Sequence, residues 1–380
     1  MKKDKLLVIL ALCGMSACSL GIGLNSQGVF FSPVAESLNV GRGAVSLYNT
    51  ISALTTAVGT VFLSKILDKN NIRRVVLIST ISAVAAMMGF SFANSLLVYY
   101  ICGFVMGLSL CVFAPAIISI ILNNSINENV GLYTGIIFSF SGITGAVCSP
   151  VFSAVIHKYG IRYAYICMAI IFLVMSMPAN ICQLDFGNKT VENREHKFNY
   201  NLLFFSLVVA FALFQIAPAM TQHFVGFAQT KGLDSGIGSL MVSAGMVGNI
   251  SFKLIAGKLS DMIGTFKTAI LMILCSVLSS LLLVFSSNSF ILLILAVLFG
   301  SIYALTSVMT PLISKEFYDK NDYRIAYPII VFVGATLNAF ATSLIGFAYD
   351  FTGSYNVALY IIIFLELVST VILFKVYSKS

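Results

Sequence analysis

Two stretches of this chain read alike: Ser64-Lys65-Ile66-Leu67-Asp68-Lys69-Asn70-Asn71-Ile72-Arg73-Arg74 and Gly257-Lys258-Leu259-Ser260-Asp261-Met262-Ile263-Gly264-Thr265-Phe266-Lys267. Each closes one long apolar run and opens the next. Their acids, Asp68 and Asp261, stand 193 residues apart (261 − 68). Gly353 follows Gly160 at the same spacing (353 − 160), and Pro311 follows Pro115 at 196 (311 − 115). Three landmarks at nearly one offset mark the chain as two structural copies of one unit.

The material between these landmarks is mostly apolar. Of 380 residues, 59% are hydrophobic and 9% charged, against roughly 25% charged in a soluble domain, and the mean hydropathy is +0.98. So few charges cannot coat a water-soluble globule, which excludes a cytosolic enzyme, a secreted disulfide scaffold and a disordered chain. The solvent for most of the protein is lipid. The formal charge of +8 is distributed in short clusters between apolar runs, the pattern of orientation signals and not of a nucleic-acid surface. Eight cysteines fall almost entirely within apolar runs with no CxxC pair, so neither a metal site nor a disulfide framework is indicated. They read as small buried hydrophobes.

A membrane helix needs about 20 mainly apolar residues. That ruler predicts spans at 6–31, 44–66, 74–93, 95–121, 130–156, 161–182, 200–224, 236–257, 267–286, 289–313, 325–348 and 355–375. The apolar run after Lys2, Lys3 and Lys5 is about twice the length of a signal-peptide core of roughly 7–15 residues, so it is read as an uncleaved first span. The expected organisation is an all-α polytopic protein: an N-terminal six-helix bundle over 1–182, a cytoplasmic linker over 183–199 and a C-terminal six-helix bundle over 200–380. With both termini in the cytoplasm, 17 Lys and Arg fall on the cytoplasmic side and 4 outside. The positive-inside rule therefore places the chain in the cytoplasmic membrane in that orientation.

These features resemble the major facilitator superfamily over essentially the whole chain. Its signature loop, G-x3-D-R/K-x-G-x-R/K-R/K, is matched at Asp68, Lys69, Arg73 and Arg74, with Ser64 and Asn71 in place of its glycines. The second copy keeps Gly257, Asp261, Gly264 and Lys267 but lacks the basic residue after the acid. The resemblance implies twelve helices in two pseudo-symmetric bundles that rock about a central cavity. Asp68, Lys69, Arg73, Arg74, Gly257, Asp261 and Lys267 are expected to form a conformational latch, since an acid can bridge a helix N-terminus and basic side chains. The same basic residues also serve as topology signals.

A narrower resemblance is to the branch of monocarboxylate transporters and the oxalate/formate antiporter. It rests on Asn25-Ser26-Gln27-Gly28-Val29-Phe30-Phe31-Ser32-Pro33-Val34-Ala35-Glu36, on Tyr159-Gly160-Ile161-Arg162-Tyr163-Ala164, and on Asn249, Lys253, Gly257 and Asp261 in the eighth span. In that branch a cation on this helix contacts the substrate carboxylate, which implies the same for Lys253. Here Lys replaces the branch's Arg, giving a point charge without a bidentate fork.

Lys253 also stands out without the resemblance. It lies eight residues inside Asp261, about 12 Å at 1.5 Å per residue, where an ammonium costs about 2.5–3.5 kcal/mol. Asn249, Lys253 and Gly257 share a helix face, continued by Ser239, Ser243 and Met246. The alternative is a stem that bends to the cytoplasmic interface.

Since the superfamily lines its cavity with helices 1, 4, 7 and 10, Asn25, Gln27, Gln215, Tyr303, Thr306 and, on helix 11, Asn338 are further substrate-contact candidates; each could equally tie two helices together. Pro115, Pro150, Pro218 and Pro311 are expected to mark kinks, and Gly103/Gly107 and Gly131/Gly135 close helix packing. Asn249 replaces the branch's titratable acid, which leaves His223 and Glu366 as proton-coupling candidates.

The chain is therefore expected to be a secondary transporter of a small organic anion, a mono- or dicarboxylate, by symport or antiport, acting as a monomer without cofactor. The alternative is efflux of apolar compounds, consistent with 31 Phe, 16 Tyr and 14 Met. A membrane enzyme would need HExxH, GxSxG or paired intramembrane Asp residues, and direct ATP use a Walker A loop; none of these motifs occurs.

Overall fold

The computed structural model describes residues 2–67, 72–126, 130–182, 184 and 198–378. The chain divides into two compact units, Met1–Val191 and Glu192–Ser380. Among the described residues each holds six helical rods. The first unit holds α1 (2–38), α2 (Arg42–Ile66), α3 (Ile72–Ser91), α4 (Leu96–Ser125), α5 (Val130–Tyr159) and α6 (Ile161–Ile181). The second holds α7 (Leu202–Thr230), α8 (Ser235–Ile263), α9 (Thr265–Phe285), α10 (Ser289–Phe317), α11 (Lys320–Thr352) and α12 (Asn356–Tyr377). By length and composition, eleven stretches among the described residues can cross a membrane. The rod outside that set, α2, carries a polar face of Asn49, Thr50, Ser52, Thr56 and Thr60.

Four rods of the second unit begin where short polar side chains satisfy otherwise unpaired backbone N–H groups. Asn201 accepts from Phe204 N at the start of α7, and Asp234 from Gly236 N at 2.9 Å before α8. Asn288 and Asp319 accept from two backbone N–H groups each before α10 and α11. Gly160 and Gly353 end α5 and α11 at φ of 92° and 69°, a backbone region nearly closed to other residues.

The sequence repeat reappears in the packing. In the first unit α2 packs on α4, α3 on α6, and α1 on α5 and α6. In the second unit α8 packs on α10, α9 on α12, and α7 on α11 and α12. Small residues set the closest of these contacts. A Cβ on Gly103 would stand 2.5 Å from the Tyr48 carbonyl oxygen, and one on Gly107 would stand 2.5 Å from that of Ser52. The expectation for Gly135 is corrected: nothing lies within 4 Å of a Cβ there, so this glycine faces open space and makes no helix contact. The first unit's core is aromatic. Tyr165 stacks on Phe30 at 4.2 Å and on Phe90 at 5.2 Å, and Phe90 also meets Tyr48 and Tyr99.

Four rods are interrupted, and they occupy equivalent places: the first and fourth of each unit. In α1 a π-helical stretch runs over Ala17–Asn25; in α4 a 3-10 turn at Cys111–Phe113 precedes Pro115. In α7 a 3-10 stretch covers Ala217–His223, and in α10 a π-helical stretch covers Leu305–Met309 before Pro311. The kinks expected at Pro115, Pro218 and Pro311 thus fall within or beside breaks, whereas Pro150 sits inside the continuous helix α5.

Candidate functional site

A broken helix leaves backbone polar groups that lipid cannot satisfy, so such breaks are tolerated only where they face protein or line a polar path. The second unit brings two breaks together. Thr221 Oγ1, in the α7 break, shares a hydrogen bond of 2.8 Å with the hydroxyl of Tyr303, just before the α10 break. Thr306, within the latter, donates to the Tyr303 carbonyl at 3.3 Å. Where α7 first departs from α-helix, the Gln215 carbonyl accepts from Asn338 Nδ2 of α11 at 2.7 Å. Asn338 therefore spends one amide hydrogen in tying α11 to the opening of α7. The side chain of Gln215 packs on Gly334.

Alongside these breaks runs α8. Its lipid-type stripe is Leu240, Val247 and Leu254, all exposed. Its buried stripe is Val242, Gly245, Met246, Asn249, Ala256 and Ser260. Lys253 falls on the buried side, half-buried, between Asn249 and Ala256. No acidic group among the described residues meets its ammonium. Asn249 is 4% exposed; its Nδ2 reaches only Met246 Sδ at 3.7 Å and its Oδ1 has no partner. A cation without an anion and an amide oxygen without a donor thus share one face, one turn apart. Ser239 and Ser243, on the same stripe, spend their hydroxyls on backbone carbonyls of α8 itself.

In the first unit the candidates fall at the α1 break and are largely committed to the fold. Asn25, the last residue of the π-helical stretch, donates Nδ2 to the Ser141 carbonyl of α5 at 3.3 Å. Gln27 is 2% exposed. Its Nε2 donates to the Ile22 carbonyl at 2.9 Å and its Oε1 accepts from the Tyr48 hydroxyl at 2.9 Å. Gln27 closes the break from within and clamps α1 to α2. The breaks of α1 and α4 are neighbours, since a Cβ on Gly23 would stand 2.7 Å from Leu110 Cδ1.

His223, which the sequence places at a helix end, is buried: 2% exposed, Nε2 2.7 Å from the Thr342 carbonyl and the ring 5.5 Å from that of Tyr355. Glu366 is buried at 1% in α12, where its Oε1 accepts from Ser276 at 2.6 Å. Of the expected latch, Asp68 and Lys69 lie outside the described residues. Arg73 and Arg74 are exposed at the start of α3, and Asp261 and Lys267 are exposed around the turn at Gly264, whose φ of 90° explains that glycine. Gly257 faces open space, so nothing at this position of the repeat demands a glycine.

Sequence reasoning missed Thr221 and Thr342, the partners of Tyr303 and His223. Pro218 amid small residues signalled a break in α7, but not which hydroxyl would close it. The groups assembled are amides, hydroxyls and one amine; among the described residues no cluster of His, Cys, Asp or Glu could hold a metal. A groove of about 590 Å³ lined by Leu54, Val58, Phe62, Phe104, Leu108 and Cys111 is apolar and opens among exposed side chains.

The arrangement of the rods matches a known architecture. Over 98% of this chain and 99% of the other, the structure is similar to the crystal structure of the nucleoside transporter NupG, solved as a mutant, with a TM-score of 0.78 and 11% sequence identity. This is the major facilitator fold. The profile described as Major Facilitator Superfamily matches residues 13–184, and no curated protein matches in sequence. At such low identity the NupG likeness speaks for the fold alone.

Proposed function

We propose that the chain is a secondary transporter of the major facilitator superfamily whose substrate is a small organic anion, a mono- or dicarboxylate, moved by alternating access. The observation that carries this reading is Lys253: an amine on the buried side of α8 with no acidic partner among the described residues, next to the unsatisfied Oδ1 of Asn249. Placing a charge there costs free energy, and an anionic substrate offsets that cost only while it is bound. Tyr303 and Thr221 would supply hydroxyls where the α7 and α10 breaks meet. Asp68, Lys69, Arg73, Arg74, Asp261 and Lys267 are proposed to latch the loops in one state of the cycle, in a membrane orientation with both termini cytoplasmic.

A second reading is an uncharged polar solute of the nucleoside kind. It is favoured by the structural likeness to a nucleoside transporter and by the number of amides and hydroxyls relative to charges. Ligand-dependent melting of the purified protein separates the two, because a ligand stabilises the state it binds. Under the anion reading, a carboxylate from a panel of carboxylates and nucleosides raises the melting temperature of the wild type but not of Lys253→Ala. Equal stabilisation of both proteins by a nucleoside supports the second reading.

A further inference from the structure

Midway along α9 and α12 lies a buried polar cluster that the substrate reading does not use. Glu366 is the eleventh of 22 residues in α12 and Ser276 the twelfth of 21 in α9, so each lies on the order of 15 Å from its helix ends. Glu366 is 1% exposed, and Ser276, Ser279, Ser280 and Ser369 are at 0%. Ser276 donates to Oε1 at 2.6 Å, and Ser279 is spent on the Leu295 carbonyl of α10. Three atoms of the cluster have no partner: Glu366 Oε2, Ser280 Oγ and Ser369 Oγ.

The fold itself does not require these groups. A shift of 193 (276 − 83) carries the buried positions Val76, Ala83, Ala86, Met87 and Phe90 of α3 onto the buried Ala269, Ser276, Ser279, Ser280 and Leu283 of α9. A shift of 194 (366 − 172) carries the buried Ala164, Tyr165, Met168, Phe172 and Ala179 of α6 onto the buried Ala358, Leu359, Ile362, Glu366 and Leu373 of α12. The first unit fills the same seam with Ala83, Ala86, Met87 and Phe172. The second unit replaces that apolar packing with an acid and three hydroxyls, at the desolvation cost that buried polar groups carry.

Among the described residues no cation meets the acid. α12 packs against α7, α9, α11 and the 217–223 stretch. Leu202–Phe214 of α7 has no titratable group, and α9 offers Cys275 beside Ser276 and Lys267 nine residues away. His223 is held at Tyr355, near the other end of α12, where Tyr349 and Asp350 of α11 also lie. Asp322, Tyr323, Arg324 and Tyr327 belong to the opposite end of α11, and Tyr360, Lys375 and Tyr377 of α12 are at least one turn from Glu366. Ser276 is the one side chain that reaches the carboxyl among the described residues.

We infer that Glu366, Ser276, Ser280 and Ser369 form a proton-binding site inside the second unit. The bound proton comes from water and forms an Oε2–H bond. That hydroxyl donates to one of the two free serine oxygens while Oε1 keeps the hydrogen bond from Ser276, and release returns the proton to water with no change in electron count. A hard metal cation would ask for six or more oxygens, whereas a proton needs one unpaired carboxylate oxygen, which Glu366 Oε2 supplies.

The test is infrared spectroscopy of the full-length protein in lipid vesicles, titrated with acid and base, which needs no transport substrate. The expected result is a protonated-carboxyl C=O band that persists at neutral pH, vanishes at higher pH, is missing from Glu366→Gln and shifts in Ser276→Ala. The wild type's melting temperature should also fall as pH rises until the band is gone, because the folded state holds a proton that the unfolded state gives up. Glu366→Gln should lack that slope. Absence of the band at neutral pH overturns the proposal, as does an unchanged band in Glu366→Gln. So does loss of the band on adding sodium chloride but not choline chloride, which would make the occupant a metal cation. Should Glu366→Gln not fold, Ser276→Ala and Ser369→Ala decide the matter, since an unmoved band in both rules out the site.

Discussion

Replacing Gly107 with alanine tests whether backbone-to-backbone packing of α2 on α4 holds the first unit together. The added Cβ would stand 2.5 Å from the Ser52 carbonyl oxygen, 2.7 Å from Thr55 Cβ and 3.0 Å from Ser52 Cα. Favourable carbon contacts lie near 3.5–4.0 Å, and two of these three atoms are backbone, which cannot rotate away. The rods must part by about 0.5–1 Å, which strains the hydrogen bond from Thr56 Oγ1 to the Gly107 carbonyl, now 3.0 Å. Overpacking of this kind costs about 1–3 kcal/mol. Gly135→Ala is the matched control: its Cβ meets nothing within 4 Å, so only the helix-propensity gain of about 0.5–1 kcal/mol remains. The two substitutions are chemically identical and should move stability in opposite directions. Detergent-solubilised variants followed by fluorescence-detected size exclusion after heating should show Gly107→Ala melting several degrees below wild type and Gly135→Ala at or above it. Equal shifts, or a neutral Gly107→Ala, would refute the packing argument.

Further outcomes follow from single contacts. Tyr48→Phe leaves Gln27 Oε1 buried without its donor and should cost about 1–3 kcal/mol, read as a lower melting temperature at unchanged expression. A double-mutant cycle of Thr221→Val with Tyr303→Phe should give a coupling of about 0.5–3 kcal/mol in thermal stability; simple additivity would mean that the α7 and α10 breaks are not joined there. At the turn between α10 and α11, burial together with the nearby Asp322 pushes the Tyr318 phenol up to about 12. The folded state keeps that proton longer than the unfolded state does, so this stabilisation is present below about pH 10 and is lost as pH rises towards 12. A Tyr318→Phe variant should lack this part of the alkaline decline in melting temperature.

The fold was legible because lipid imposes a length and a polarity on each span, and because the loops at Asp68 and Asp261 betray the repeat. What hydropathy could not show was where a span stops being an α-helix. The π-helical stretch at Ala17–Asn25 contains no proline, and its only hint is the run of glycines and short polar residues leading to Asn25. Pro150, by contrast, is absorbed by a continuous helix. The candidate site was partly legible. The stripe of Asn249 and Lys253 follows from 3.6-residue periodicity and falls on the buried side of α8. Gln27 and Asn338 were visible as polar residues in apolar spans, but whether such an amide binds a ligand or a neighbouring helix depends on partners far away in the chain, Tyr48 and Gln215. The depth of His223 and Glu366 was hidden for the same reason: burial is a property of the neighbours, and Ser276 lies 90 residues from Glu366.

The central claim rests on what Lys253 does, and uptake of radiolabelled carboxylates into proteoliposomes tests it directly. The account predicts that a mono- or dicarboxylate accumulates with wild-type protein, that Lys253→Ala abolishes this uptake, and that Lys253→Arg, which keeps the charge, restores a measurable part of it. Carboxylate uptake by Lys253→Ala at the wild-type rate would contradict the account.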